Sequence, residues 1–344
     1  MKMRAAILYK LNSPLVVSDL EIPALKKGQV LVKIQYSGIC RSQLNEIRGF
    51  RGDDKYLPHL LGHEGAGIVD SLGSGVTKVK TGDHVVISWI KGKGLEADPA
   101  KYKDASGVIN AGPVTTFGQY SIIPENRLTK IPKKVPLEVA ALIGCAVATG
   151  AGVILHVLPT RKNLTVAILG VGGIGSGMIL GAAMKNYKQI IAIDINQKSL
   201  DLARKLGTTT TLLFSPETIS RDIRKFCPQG VDVVIEATGN KIAMEVALEL
   251  ISSHGTVIIA GNLRHEEKIS INPFELIKGK KLIGTWGGNT IPDLDFPYYA
   301  RSYLTGKLRI DKLISKRFRL DEINQAFALL EQRKHVGRML IDFT

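Results

Sequence analysis

The run Gly170-Val171-Gly172-Gly173-Ile174-Gly175 follows the apolar stretch Leu164–Leu169 and opens a glycine- and alanine-rich helical stretch. This feature limits the fold more than any other. A GxGxxG string alone is common. Here a strand precedes it, a helix follows, and Asp194 stands 19 residues past Gly175, just after the apolar run Gln189–Ile193. That spacing is close to the roughly 20 residues expected of a dinucleotide-binding βαβ unit. Gly170 would permit the tight turn, Gly172 the close approach of backbone to a pyrophosphate, and Gly175 the packing of helix on strand. Gly173 and Ile174 lie where the helix N-terminus offers N–H donors and the positive end of its dipole. The Asp194 carboxylate can accept from both adenosine ribose hydroxyls and repels a 2′-phosphate, so NAD is favoured over NADP. Ile195 and Lys198 flank that position, and the Lys198 charge pulls slightly the other way.

The same rhythm continues downstream. Val231–Glu236, Thr256–Ala260 and Lys281–Thr285 read as strands, alternating with helical stretches such as Lys198–Leu206 and Lys241–Ile251. Strands alternating with helices imply a doubly wound parallel sheet with right-handed crossovers. The first 130 residues differ: short apolar runs (Val30–Ile34, Gly67–Val69, His84–Ser88) are separated by turn signals at Gly73-Ser74-Gly75 and Thr81-Gly82-Asp83. That pattern predicts a β-rich, barrel-like domain. Ile90–Thr116, rich in Lys and Gly with little periodicity, reads as a long surface lobe. An amphipathic stretch, Leu320–Gln332, and a strand, Met339–Phe343, close the chain.

A length of 344 residues suits two domains, and 44% hydrophobic with 22% charged residues excludes a disordered or collagenous chain. The net charge of +15 attracts anions, but no nucleic-acid-binding motif accompanies it. The stretch Ala140–Leu158 carries no Lys, Arg, Asp or Glu. Its glycines, alanines and His156 suit a buried helix at a domain junction better than a bilayer span. The N-terminal MKMRAAILYK has no apolar core of signal-peptide length, so a cytoplasmic protein without membrane or nucleic-acid partners is expected.

Three cysteines, Cys40, Cys145 and Cys227, cannot build a disulfide framework. Singly, each reads as a small buried hydrophobe, and a lone His63 as structural. No CxxC spacing advertises zinc. In combination they carry a resemblance. Cys40 in Gly38-Ile39-Cys40-Arg41-Ser42, the Gly62-His63-Glu64-x-x-Gly67 run, Gly82-Asp83-His84-Val85, Gly144-Cys145 with Thr149-Gly150 after it, and the glycine run with Asp194 recur in the same order in another family. Over essentially its whole length the sequence resembles the zinc-containing medium-chain alcohol dehydrogenases.

That resemblance implies a GroES-like catalytic domain over residues 1–146, a Rossmann cofactor domain over 147–288, and a return to the catalytic domain over 289–344. It implies that Cys40, His63 and Cys145 hold one zinc with an open fourth position for an alcohol or carbonyl substrate. Glu64 would sit behind the metal as an exchangeable ligand. Ser42 matches the hydroxyl that takes the alcohol proton, Arg41 and Arg338 match pyrophosphate contacts, and Thr149 a nicotinamide-side contact. Hydride would pass reversibly between substrate and NAD. Relatives are homodimers or homotetramers joined through sheet edges of the cofactor domains.

Three departures matter. Many relatives carry four cysteines for a second, structural zinc in the lobe after the His-Glu motif, and Ile90–Thr116 has none. Gln43 replaces a common Asp that hydrogen-bonds a zinc ligand, which is expected to leave the metal more electrophilic and more easily stripped. Asn45 replaces the His that ends the proton relay in some relatives, so its outer end is unassigned. Trp89, Phe117, Gly261–Leu263 and Trp286–Thr290 are expected to line part of the substrate pocket. Lys91, Lys93, Lys101 and Lys103 weakly favour an anionic, polyol or sugar-derived alcohol. Two other readings stay open. One is a metal-free medium-chain quinone or enoyl reductase, which has no need for Cys40, His63 and Cys145 together. The other is a non-catalytic nucleotide-binding protein, against which the Ser42 hydroxyl and the intact ligand set both count.

Overall fold

The structure is a computed structural model describing residues 1–160, 163–185 and 187–344. Two compact units emerge: Met1–Cys145 with Ile291–Thr344, and Ala146–Thr290. The chain passes from the first to the second inside the helix Leu137–Val157, whose most apolar window is 89% buried. Past Glu138 in its first turn it carries no Lys, Arg, Asp or Glu, as suits a core helix.

In the first unit, alternation of apolar and polar residues yields two antiparallel systems. Lys2–Leu8, Val16–Glu21, Lys101–Asp104, Gly107–Asn110 and His59–Leu60 close a small barrel. Gln29–Gly38, the longest strand, is paired by Glu64–Leu72 on one side and by Tyr120–Pro124 and Arg338–Asp342 on the other. The C-terminal strand thereby brings Arg338 to the strand that leads into Cys40.

The expected surface lobe is corrected here. Lys101–Asp104 and Gly107–Asn110 form a hairpin that completes the barrel. Tyr102 and Ile109 are buried in its core, and the Tyr102 hydroxyl accepts from Ile122 N at 2.8 Å. Burial without a charged partner pushes that phenol up to about 12. The pairing is long-range, so local periodicity carries little trace of it. Phe117 is corrected too. It is a buried core residue, 1% exposed and edge-on to Phe327 with centroids 5.8 Å apart.

The stretch after Trp89 is organised by a carboxylate. Glu125, buried, accepts from Thr77 N and Lys78 N at 2.5 Å and from Leu95 N at 2.8 Å. Lys78 bridges onward to Asp293 at 2.5 Å, and Asp293 accepts from Lys93 N at 2.6 Å. Burial raises the Glu125 carboxyl, but its three backbone donors and Lys78 outweigh burial and hold it below the usual range. A carboxyl depressed on folding stabilises fully above its unfolded value, near 4.3, and loses that stability as pH falls through the folded value. Glu125→Gln should therefore cost about 1.5–3 kcal/mol at pH 7. The gap from the native chain should narrow on acidification below pH ~4. Urea midpoints at pH 7 and pH 3.5 check this, and a pH-independent gap would refute it.

In the second unit the sheet has six parallel strands among the described residues. Their order is Thr210–Leu213, Gln189–Asp194, Thr165–Leu169, Val231–Glu236, Ile251–Ile259, Lys281–Gly284. Thr210–Leu213 is an edge strand missed in the sequence, being only four residues long. Strand order reverses between Thr165–Leu169 and Val231–Glu236, and ligands of such sheets bind outside the carboxyl ends at that switch point. Caps define the helices. Asn196 accepts from Lys198 N at 2.9 Å to start Gln197–Leu206, and Gly207, at φ 118°, ends it.

Candidate metal centre and cofactor crevice

Local backbone chemistry aims each side chain of the centre. Cys40 is the extended residue before the helix Arg41–Ile47, with φ −118° and ψ 146°, and makes no side-chain cap. His63 follows Gly62, at φ +98°, where a Cβ would lie 2.4 Å from Thr116 Oγ1. Only glycine fits that bend. Glu64 opens the strand Glu64–Leu72, and its carbonyl accepts from Ser37 Oγ at 3.1 Å and Thr116 Oγ1 at 3.2 Å. Gly38 leaves room for the Glu64 side chain, since a Cβ there would lie 2.5 Å from it.

Cys145 lies in a wide π-turn, Ile143–Val147. Such turns re-aim a side chain and often occur at functional sites. The turn is seated by Gly144, where a Cβ would meet Ile87 O at 2.2 Å, and by Ser88 Oγ donating to Gly144 O at 2.6 Å.

These elements bring Cys40, His63, Glu64 and Cys145 together: one donor atom of each lies within 4.8 Å of all the others. His63 Nε2 is 3.2 Å from Cys145 Sγ. Ser42 Oγ donates to Cys40 Sγ at 3.3 Å and lies 3.4 Å from His63 Nδ1. Gln43 Nε2 contacts His63 Nδ1 from behind, and Arg338 forms an ion pair with Glu64. Trp89 donates a side-chain hydrogen bond to Cys145. The hydrogen bond from Cys145, helped by the His63 imidazole and Arg338, holds the Cys40 thiol well below its ordinary value against burial. Cys145, bonded to it and buried, is pushed well above.

The donor chemistry fits zinc. Two sulfurs at about 2.3 Å and a nitrogen at about 2.0–2.1 Å from a tetrahedral ion lie roughly 3.5–3.8 Å apart, within the span found here. A second group, Glu46, Asp54 and His59, also brings its donor atoms within 4.8 Å. His59 is fully engaged there, with Nε2 2.7 Å from Asp54 and Nδ1 2.9 Å from Leu60 O.

In the second unit, Gly170 takes φ +94°, and a Cβ on it would lie 2.6 Å from Thr238 Cγ2. A Cβ on Gly175 would lie 1.9 Å from Gly170 O, so turn and helix touch backbone to backbone. Gly172 faces open space, with nothing within 4 Å of its missing Cβ. That is the cradle a pyrophosphate needs. The helix Gly173–Lys185, which includes Ile174, begins there. Asp194 receives Val171 N at 2.7 Å and Asn196 N at 2.8 Å, one on each oxygen, which locks its carboxylate over the turn. Ile195 is exposed beside it, and Lys198 lies in the first turn of the next helix. Thr149 is buried in the segment Ala148–Gly152.

Arg338 and Arg41 do not lie free. Arg338 is buried on Glu64, and Arg41 donates to Leu330 O at 2.9 Å. The Ser37–Thr116 pair, the Ser88 hydroxyl and the π-turn were not found from sequence. Each is an ordinary residue whose role exists only through a distant partner.

Known proteins share the domain pattern and fold of this chain. The alcohol dehydrogenase GroES-like domain matches residues 26–133, and the zinc-binding dehydrogenase domain matches residues 173–302. The S-(hydroxymethyl)glutathione dehydrogenase of Escherichia coli (strain SMS-3-5 / SECEC) is 31% identical, across 99% of this chain and 100% of its own. An alcohol dehydrogenase zinc-binding domain protein from Burkholderia ambifaria has a TM-score of 0.91 at 26% identity, across 100% of this chain and 99% of that one. Benzyl alcohol dehydrogenase from Acinetobacter calcoaceticus has a TM-score of 0.89 at 26% identity, across 100% of both chains.

Proposed function

This chain belongs to the zinc-type alcohol dehydrogenases of the medium-chain dehydrogenase/reductase family, and from that premise we propose that it interconverts an alcohol and its carbonyl with NAD at a single zinc. The observation carrying this reading is the convergence of Cys40, His63, Glu64 and Cys145 within 4.8 Å. A bound zinc would supply the Lewis acid for the substrate oxygen, and NAD the hydride acceptor.

The chain's own residues supply the rest. Cys40, His63 and Cys145 would hold the metal, with Glu64 held back by Arg338. Ser42, beside Cys40 and His63, would take the alcohol proton on Oγ while passing its own hydroxyl proton on toward solvent. The turn Gly170–Gly175 would receive the pyrophosphate on backbone N–H groups, with Thr149 of the same unit as the nicotinamide-side contact. Asp194, with neighbours Ile195 and Lys198, binds the adenosine ribose. Its carboxylate would meet a 2′-phosphate as like charge, which supports NAD over NADP. The edge strand Lys281–Gly284 supports a homodimer or homotetramer, with Ile277 at 77% and Trp286 at 76% exposure near it.

The test is a zinc-loaded preparation assayed for NADH and NADPH formation. The panel should include polyols, sugar alcohols, benzyl alcohol and S-(hydroxymethyl)glutathione, the last two because relatives are named for them. One zinc per chain, a preference for NAD and a sedimentation mass of two or four chains are expected. Two zincs per chain, a preference for NADP, or full activity without metal would each overturn a part of this reading. The last outcome would favour the metal-free reductase.

A further inference from the structure

In the cofactor unit, Glu236 ends the strand Val231–Glu236 and is fully buried. Its side chain reaches forward along its own chain: Oε1 accepts from Thr238 N at 2.6 Å, from Gly239 N at 3.1 Å and from Thr238 Oγ1. That hydroxyl in turn accepts from Asn240 N at 3.0 Å, and Asn240 caps the helix Lys241–Leu250. The main-chain carbonyl of Glu236 reaches sideways, to Ala260 N at 2.9 Å and Gly261 N at 3.0 Å, just past the neighbouring strand Ile251–Ile259. One residue thus fastens the turn after its own strand and the turn after the next. The two turns meet closely. A Cβ on Gly261 would lie 2.3 Å from Gly239 N and 2.6 Å from Glu236 Oε2, and one on Gly239 would lie 2.4 Å from Asn262 O.

Stability alone does not account for a carboxylate here. Its second oxygen, Oε2, is buried with no hydrogen-bond partner among the described residues. An unmet buried acceptor costs about 1–3 kcal/mol, and such departures concentrate at functional sites. Position supplies the function. A dinucleotide lies across the carboxyl ends of the strands at the switch point. Asp194 ends a strand on one side of that point, and Glu236 ends the first strand on the other. With Asp194 taking the adenosine ribose, the turns that Glu236 fastens face the half of the coenzyme that carries the reactive ring. Thr238 also abuts Gly170, so the fastened turns are continuous with the glycine turn.

We propose that Glu236 is a positioning residue for the ring-bearing half of the coenzyme, clasping residues 237–239 and 260–262 into one wall of the crevice. This rests on the functional reading above, since it needs the coenzyme to lie in that crevice. It goes further in dividing the labour within the unit: Asp194 and the glycine turn hold the adenosine half, and the clasp sets the other half independently. Its working part is the acceptor on Oε1 rather than the charge of the carboxylate.

The test titrates the full chain with NAD and with AMP, which fills the adenosine half alone, by calorimetry. Glu236→Leu removes the acceptor for three donors and should weaken NAD at least about tenfold, with AMP affinity near native. Glu236→Gln keeps an amide oxygen for those donors and should hold NAD within roughly threefold of native. Gly261→Ala leaves Glu236 in place but wedges the two turns apart, so it too should weaken NAD and spare AMP. Equal weakening of NAD and AMP by the Leu and Ala variants would show that Glu236 serves only the fold, and overturns the inference. A Gln variant as weak as the Leu variant overturns it as well, because the charge would then be what matters. The native chain supplies a measurement that stands even where a variant fails to fold. Without ligand, its Thr238 and Gly239 amides should exchange with solvent at least about a hundredfold more slowly than an open loop. Exchange at open-loop rates overturns the inference and leaves the proposed function standing, whereas a native chain that binds neither NAD nor AMP overturns both.

Discussion

Cys40→Ser should strip the protein to about a tenth of a zinc per chain or less and lower NADH formation at least a thousandfold. A Lewis acid contributes several kcal/mol of transition-state stabilisation, and each 1.36 kcal/mol is a factor of about ten in rate. The serine hydroxyl is nearly isosteric but stays protonated at neutral pH, so it offers a metal neither the charge nor the soft donor of a thiolate. Cys40 is also the sulfur whose surroundings most favour its ionised form, beside the Cys145 thiol, the His63 imidazole and Arg338. His63→Ala should behave alike. The controls are unfolding midpoint and coenzyme binding: the glycine turn and Asp194 belong to the other unit and should still bind NADH with near-native affinity. Loss of NADH binding together with activity would mean that the substitution damaged the fold. Activity within tenfold of native would remove the metal from the mechanism.

The cofactor unit was largely legible in the sequence because its determinants are local. A strand, a glycine turn, a helix and an acid within about thirty residues make their contacts with one another, as the Gly175–Gly170 and Asp194–Val171 approaches show. The centre was legible for a different reason. Spacing alone made zinc improbable, and the residues became readable only through the order of motifs shared with a family. The ligands were named from that order, but the supports that aim them were not. Gly144 against Ile87, Ser37 against Thr116 and Arg338 on Glu64 join positions far apart in the chain, and nothing near either partner in sequence announces the other. The hairpin Lys101–Asn110 was missed on the same grounds. Its Lys-rich face is exposed, its apolar face is only two residues deep (Tyr102 and Ile109), and what makes it a strand pair is a barrel closed by residues from positions 2 to 60.

Arg338→Leu should destabilise the protein by about 3–5 kcal/mol, because it leaves a buried carboxylate without its cation. Arg338 is 6% exposed and Glu64 fully buried, and the two are ion-paired. In such a pair the attraction roughly offsets the cost of taking both charges out of water, so the intact pair adds little net stability. Deleting one partner is different: the remaining charge keeps its desolvation cost and loses the compensation. The double substitution Glu64→Leu with Arg338→Leu should therefore recover most of the loss, and a double-mutant cycle by urea unfolding should show a coupling of several kcal/mol. Function should separate from stability. In the single variant, Glu64 loses its ion-pair partner within the donor cluster it shares with Cys40, His63 and Cys145, and would be free to compete with substrate for a metal held there. In the double variant that competitor is gone, but so is the guanidinium beside Cys40. The single variant should thus show a raised KM at temperatures where it remains folded, and the double variant a near-native midpoint with a lowered kcat. Equal losses of stability in the single and double variants would show that Arg338 holds the C-terminal strand by packing alone, with Glu64 no part of its role.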